Sequence, residues 1–511
     1  MRVLLGQSYF LRFDPKLFRA MQPYPPLGSM YAAAVLRDRG HDVRFFDAML
    51  ATSEEEWATR LDADRPDVAV IFEDNFNYLS KMCLLRMREA AFRMLEDARA
   101  RGIPAIVCGS DATDHAADYI AHGAGWVIIG EGEVTLAELL GALQSQPETE
   151  IAGVTGLTYR SGTDLVTTGR RPNLTDLDPL PFPAWDLVDV DRYRAAWRRH
   201  GRFSMNLVST RGCPFHCNWC AKPIWGQRYA VRSPANVADE VAWLKRTYAP
   251  DHLSFADDIL GLKPDWLEGF AAAVRTRDAV IPFKCLSRAD LLLRPGDVDA
   301  LRAAGCETVW MGAESGSQAI LDAMEKGTTV AQIRDAAALL REAGIRVAFF
   351  LQFGYPGETW DDVRATRRLV ADALPDDIGI SVSYPLPGTT FHERVRADLA
   401  ARGNWVDSSD LAMLYQGPYS TGVYRRLHRV VHREFRLLRA AGTTAPWTHL
   451  RRALRRPWSR PVLGRLRDAF SLPVDRLLLD ARVRMDRGDR RPPPGGHPIR
   501  VIPPGSGGPA R

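Results

Sequence analysis

The chain is poor in cysteine: seven in 511 residues, too few and too scattered for a disulfide scaffold. It lacks any run of the ~20 apolar residues a membrane span needs. It also lacks a secretory apolar core, since Met1–Gly6 is followed at once by Gln7 and Arg12. Lysine is scarce, seven of 67 basic residues, an arginine bias that reads as base composition. No internal repeat is present. A cytoplasmic, soluble chain is expected, and 46% hydrophobic with 25% charged residues excludes collagen-like or wholly disordered classes. Its length suggests two or three domains.

The net charge of +5 conceals an asymmetry. From Val423 onward there are 21 Lys and Arg against 6 Asp and Glu, a balance of +15, and the remainder carries −10. Solvated faces of amphipathic helices account for this most simply. Contact with nucleic acid or an anionic membrane surface is the alternative, and nucleic acid is not the expected partner.

Residues 1–145 alternate strand-like runs (Val3–Gly6, Val43–Phe46, Val68–Phe72, Ala105–Cys108, Trp126–Ile129) with helical stretches, the spacing of a doubly wound parallel sheet. Ligands of such sheets sit at the carboxyl ends of the strands. Gly109-Ser110-Asp111 and Gly130-Glu131-Gly132-Glu133 fall there. Residues 146–201 break the pattern, and three prolines within Pro179–Pro183 read as an extended linker. Residues 202–400 hold a second series of six strand–helix pairs, an incomplete TIM-type barrel, since eight pairs take about 250 residues. Residues 401–490 read as helical and Arg-rich, and 491–511, rich in Pro and Gly, as disordered.

The sharpest signal is Thr210-Arg-Gly-Cys213-Pro-Phe-His-Cys217-Asn-Trp-Cys220, directly after the first strand of the second series. A loop there bends three thiolates onto one iron–sulfur cluster. Three ligands on four irons leave one iron open to a substrate or cofactor. Zinc is the rival, but its structural sites take four protein ligands and no nearby cysteine supplies the fourth.

With these residues the chain resembles the radical S-adenosylmethionine (SAM) enzymes. The resemblance implies that Cys213, Cys217 and Cys220 ligate a 4Fe-4S cluster and that the open iron binds SAM. Reductive cleavage of SAM then gives a 5′-deoxyadenosyl radical that abstracts hydrogen. Later strand ends match the family in turn. Trp219 is implied near the adenine, Asp257 and Asp258 near the methionine ammonium, Arg288 at the SAM carboxylate and Glu314 at the ribose. Gly354 and Pro356 are implied to flank the adenine. For each of these, packing, capping or a surface ion pair is the plain alternative.

The first half resembles the cobalamin-binding domains of one radical SAM subclass through Pro25-Pro-Leu27-Gly28, Arg39-Gly-His-Asp-Val43 and Gly130-Glu-Gly-Glu-Val-Thr135. It implies cobalamin contacts from Leu27, Gly28, Gly109, Ser110, Asp111, Gly130, Glu131, Gly132 and Glu133. The Asp-x-His-x-x-Gly ligand motif of cobalamin mutases is absent, and His41, His115 and His122 are expected at turns and surfaces. Ser383–Thr389 and Asn404–Leu414 are similar to the branch of the anaerobic magnesium-protoporphyrin IX monomethyl ester cyclase, which also includes methyltransferases. Tyr384 and Tyr415 are candidate substrate contacts.

The expected fold is therefore α/β: an N-terminal doubly wound Rossmann-like cobalamin-binding domain, a partial (β/α)6 TIM-type radical SAM barrel, and a helical C-terminal region. The expected activity is modification of an unactivated carbon, by methyl transfer or by non-methylating oxidation or cyclisation. The substrate is a small molecule (a secondary metabolite, tetrapyrrole or lipid), and a flavodoxin or ferredoxin is the reductant. A radical SAM enzyme that has lost cobalamin, and a non-catalytic iron–sulfur or zinc protein, remain open from the sequence.

Overall fold

The computed structural model describes residues 1–82, 84–145, 148–220, 224–401, 403–442 and 460–489. The chain divides into two compact units: residues 1–418 with 438–444, and 419–437 with the remainder.

The larger unit contains two sheets. The first is ordered β2-β1-β3-β4-β5-β6-β7, from β1 (Arg2–Gly6), β2 (Asp42–Phe46), β3 (Val68–Phe72), β4 (Ala105–Cys108), β5 (Trp126–Ile128), β6 (Leu157–Ser161) and β7 (Asp164–Thr167). The first five pair in parallel. Every residue of β3, Val-Ala-Val-Ile-Phe, is buried, as a strand covered by helices on both faces requires. The order reverses between β1 and β3, so their carboxyl ends, leading into Gln7–Phe10 and Glu73–Tyr78, open onto the crevice where ligands of such sheets bind.

The region expected as a linker is more structured than that. Strands β6 and β7 add antiparallel to β5, joined by a two-residue turn with Gly162 at φ 60°. Glycine tolerates that left-handed backbone in a tight hairpin. Helix Val190–Trp197 follows. Tyr193 Oη donates to Asp47 at 2.6 Å and Trp197 Nε1 to the Pro23 carbonyl at 2.8 Å. Only the proline stretch between them is extended and irregular.

The second sheet runs β15-β14-β13-β12-β11-β8, six parallel strands in sequence order: β8 (Ser204–Leu207), β11 (His252–Phe255), β12 (Phe283–Ser287), β13 (Cys306–Glu314), β14 (Arg346–Phe353) and β15 (Asp377–Val382). This is the expected partial barrel. Strand β12 begins at Phe283, just past Pro282, which has no N–H to donate. The two-residue strands β9 (Thr210–Arg211) and β10 (Ala230–Val231) pair antiparallel and close the base of the cysteine loop.

Helices begin again only at Thr421, not near Trp405. In between, Asp407 accepts from Ser409 N and Oγ at 2.8 and 2.6 Å, and Asp410 from Val406 N at 3.1 Å. Such local side-chain bonds compete with helix. In the smaller unit, helix Thr421–Gly442 contributes its residues up to 437, and helix Arg460–Asp489 packs within the same unit. The expected disordered tail and Cys83 lie outside the described residues.

Gly132 tests the packing of the first domain. A Cβ there would press into Cys108 Sγ and lie 2.8 Å from the Phe72 ring, whereas one at Gly141 would meet nothing within 4 Å. Gly132→Ala should lower stability to urea by about 1–3 kcal/mol, and Gly141→Ala should be neutral or stabilising. Equal urea midpoints for Gly132→Ala and wild type would contradict this close approach.

Candidate active site at the mouth of the barrel

The cysteine loop is fixed at both ends by the protein itself. At its start, the buried Asp257, just past β11, accepts from Ser209 N and Oγ at 2.8 and 3.0 Å and from Thr210 N and Oγ1 at 2.5 and 2.6 Å. Burial nevertheless raises its pKa to about 6, against those four hydrogen bonds. The carboxylate expected at the SAM ammonium is thus engaged in holding the chain into the loop. Asp258 beside it is exposed.

Gly212 turns the loop at φ 79°, where a Cβ would strike the Arg228 carbonyl. Near the far end, Asn218 donates from Nδ2 to Ala323 O at 2.8 Å and to Glu325 Oε1 at 3.1 Å. Its Oδ1 accepts from Tyr355 Oη at 2.7 Å, and its N–H reaches Met324 O at 3.1 Å.

None of the three cysteines is in a disulfide, and Cys217 stands beside two cations. Cys213 is buried with Ile259 and Leu291. The buried Arg288 approaches Cys217 Sγ to 4.0 Å. It also pairs with Asp290 at 3.0 Å, donates to the Lys326 carbonyl at 3.0 Å and stacks 3.5 Å over Phe215. Lys326, which no motif marked, is buried beside it and pairs with Glu314 at 2.9 Å. Burial opposes its charge, but Glu314 and Cys217 outweigh burial and raise its pKa.

Among the described residues no three His, Cys, Asp or Glu stand close enough to hold a single ion. Three cysteine sulfurs at this spacing suit an iron–sulfur cluster, whereas structural zinc takes four protein ligands.

Glu314 occupies the left-handed region at φ 54°, where β13 slips register against β14. Non-glycine strain of this kind collects at functional sites. Trp219 packs against Ile320, Met324, Tyr355, Phe391 and Tyr415, with its indole N–H buried and unpartnered and Lys326 Nζ 5.9 Å from its ring. Gly354, at φ 81°, donates to Glu358 at 2.8 Å and accepts from Tyr415 Oη. Pro356 follows, half-buried. Tyr384 is buried edge-on to Trp405. Both tyrosines expected at substrate are thus packing groups.

Residues expected to touch cobalamin prove to be largely internal. Arg211, two residues before Cys213, inserts a buried guanidinium between Glu131 and Glu133, with Nη2 2.7 Å from Glu133 Oε1. Burial opposes its charge, but the two carboxylates outweigh that and raise its pKa. Glu131 also accepts from Leu174 N at 2.6 Å. Asp111 pairs with Arg88 at 2.5 Å and accepts from Tyr119 at 2.8 Å. Ser110 Oγ is 3.5 Å from Asn75. Leu27 is buried.

The four glycines sit in tight quarters. A Cβ at Gly28 would lie 3.1 Å from Glu73 O, at Gly109 2.8 Å from the Glu73 side chain, and at Gly130 3.3 Å from Arg170, while Gly132 meets Cys108. Of the histidines, His41 is buried at the turn before β2, His115 neighbours Asp111, and His122 pairs with Glu96 and stacks on Phe92.

Further buried polar groups stand at the carboxyl ends of β1 and β3, where Gly28 and Gly109 meet Glu73. Gln7 Nε2, Tyr9 Oη and Ser80 Oγ are buried without partners, the kind of group that a ligand or water satisfies. Glu73 accepts from Ser8 N and Oγ at 3.2 and 2.6 Å, and burial raises its pKa to about 7 against those bonds. The Tyr78 phenol has its pKa raised by the protein around its hydroxyl and then by the charges of Cys220, Glu314, Tyr384 and Asp258.

Residues 18–140 match the B12 binding domain model and residues 207–370 the Radical SAM superfamily model. The chain therefore joins a B12-binding domain to a radical SAM domain and is an enzyme of that class. Within the class it is 27% identical over 388 residues to an uncharacterised methyltransferase of Pyrococcus horikoshii, covering 75% of this chain and 81% of that one. It is 28% identical over 326 residues to the anaerobic magnesium-protoporphyrin IX monomethyl ester cyclase of Synechocystis, covering 63% of each. The cobalamin-dependent SAM radical enzyme OxsB shares the fold, with TM-score 0.69 at 16% identity over 95% of this chain and 75% of that one.

Arg211→Met would strand two buried carboxylates, a loss of about 3–5 kcal/mol. Adding Glu131→Gln and Glu133→Gln should recover most of it. Urea titration of the single and triple variants checks this, and a single variant as stable as wild type would contradict the clamp.

Proposed function

We propose that the chain is a methyltransferase that acts on an unactivated carbon of a small molecule. In this reading Cys213, Cys217 and Cys220 hold a 4Fe-4S cluster, and SAM lies beside Arg288, Glu314 and Trp219. Cobalamin occupies the β1/β3 crevice of the first domain, which we take as residues 1–145 extended by β6 and β7. The observation that carries the reading is the loop of three cysteines in no disulfide, with Arg288 and Lys326 beside Cys217, at the carboxyl end of a six-stranded parallel barrel. When bound, these groups supply hydrogen-atom removal from carbon and a methyl group to replace it; the protein supplies placement and exclusion of water.

The residues divide that work. Arg288 and Lys326 place positive charge beside Cys217. Asp257 and Asn218 set the path of the loop, and Arg211 ties it to the first domain. Trp219, Tyr355, Phe391 and Tyr415 form an apolar wall against water. A flavodoxin or ferredoxin is the proposed source of electrons.

The methyltransferase relative, of whose length the chain spans 81%, favours methyl transfer. The cyclase, of which it spans 63%, favours a second reading: oxidation or ring closure without methyl transfer. A form that no longer binds cobalamin is a third, favoured by the engagement of Asp111, Glu131 and Glu133 inside the protein.

Incubating reduced, reconstituted enzyme with candidate substrates and methyl-deuterated SAM separates the readings. Methyl transfer requires S-adenosylhomocysteine together with 5′-deoxyadenosine and deuterium in the product. Product formation with 5′-deoxyadenosine alone selects the second reading, and absence of stoichiometric cobalamin after reconstitution selects the third.

Cys217→Ala should abolish both the visible iron–sulfur absorbance and SAM cleavage, while Cys306→Ala, distant in sequence from the loop, should leave both largely intact. Full SAM cleavage by Cys217→Ala would overturn the cluster assignment.

A further inference from the structure

The smaller unit keeps its acidic groups paired and presents an apolar stripe on one helix face. Asp468 accepts from Arg436 at 2.6 Å, Asp475 pairs with Arg426 at 2.7 Å and with Arg433, and Glu434 pairs with Arg476 at 2.7 Å. Asp486 accepts from Ser420 N at 2.5 Å. Four of the six acidic residues beyond Val423 are thus engaged inside the hairpin, against 21 basic residues. The sequence beyond Val423 thus carries far more arginine than acid.

Helix Arg460–Asp489 buries Leu472, Leu479 and Val483 on its inner side. Its outer side exposes Phe470 (79%), Val474 (56%), Leu477 (70%), Leu478 (44%) and Met485 (61%). At the helical period these five fall in one stripe about 100° wide. Arg467 and Arg484 are exposed along the same stripe. The sequence between the two helices, residues 443–459, adds four arginines and two tryptophans and no acid.

We propose that this outer face lies on an anionic membrane surface, as a peripheral amphipathic helix. Apolar side chains flanked by arginine suit the boundary between acyl chains and anionic headgroups. A nucleic acid offers polar, charged edges that such a stripe would leave unmatched. A second copy of the chain would bring arginine against arginine.

The test uses the full-length chain and vesicles of phosphatidylcholine, alone or mixed with phosphatidylglycerol. Co-sedimentation should be at least about tenfold tighter on the mixed vesicles and should weaken with salt. The double variant Phe470→Glu/Leu477→Glu should lose about tenfold or more in binding, with circular dichroism and thermal midpoint unchanged. Should that variant misfold, Arg467→Glu/Arg484→Glu decides: lost binding with an intact fold supports the proposal, and retained binding overturns it.

Absence of sedimentation, or equal sedimentation by wild type and a folded apolar variant, would overturn the proposal. So would a dimer in light scattering that the apolar variant dissolves without any vesicle binding. Binding of duplex RNA in place of vesicles would assign the face to nucleic acid instead.

Discussion

The guanidinium of Arg211 between Glu131 and Glu133 is the constraint on which the arrangement of the two sheets turns. Three charges removed from water are tolerable only when their geometry satisfies one another, so the position of one domain against the other is narrowly specified. The arginine precedes Cys213 by two residues, and the glutamates lead into helix Glu133–Ser145. The thiol loop and the strand ends of the first sheet are therefore held in one frame. Arg232, which bonds Glu240, the Val208 carbonyl and Tyr31, and Asn206, which bonds the Pro25 carbonyl, reinforce that frame.

Within it the barrel mouth is a balanced electrostatic site. Arg288 pairs with Asp290 and Lys326 with Glu314, and Cys217 lies beside both cations. Lys326 is central because it meets Glu314 directly and feels Cys217. The strained backbone at Glu314 and the slipped register of β13 place that carboxylate beside the lysine, which a regular strand would not do.

The strands of both sheets were legible because buried parallel strands read as short continuous apolar runs, and the cysteine spacing was legible because its ligands are local. The antiparallel pair β6 and β7 escaped notice: its alternation is short, and the prolines after it suggested an extended chain. Partners far apart in sequence were hidden as well. Glu131 and Glu133 read as ligand contacts because nothing in the sequence ties them to an arginine about 80 residues on. Asp257 looked like a cofactor carboxylate for the same reason. Lys326, Asn218 and Tyr78 carry no motif, and the crevice between β1 and β3 depends on strand order, which appears only when the strands are paired.

The anchoring of the cysteine loop bears on how such a protein matures. Domains whose metal ligands become ordered only on binding fold and load in one event. Here Asp257, Asn218 and the small β9–β10 ribbon order the loop through the chain's own hydrogen bonds. These anchors engage no thiol, so part of the entropy of placing the loop is met by folding itself. A cluster could then be lost and rebuilt with both ends of the loop still held.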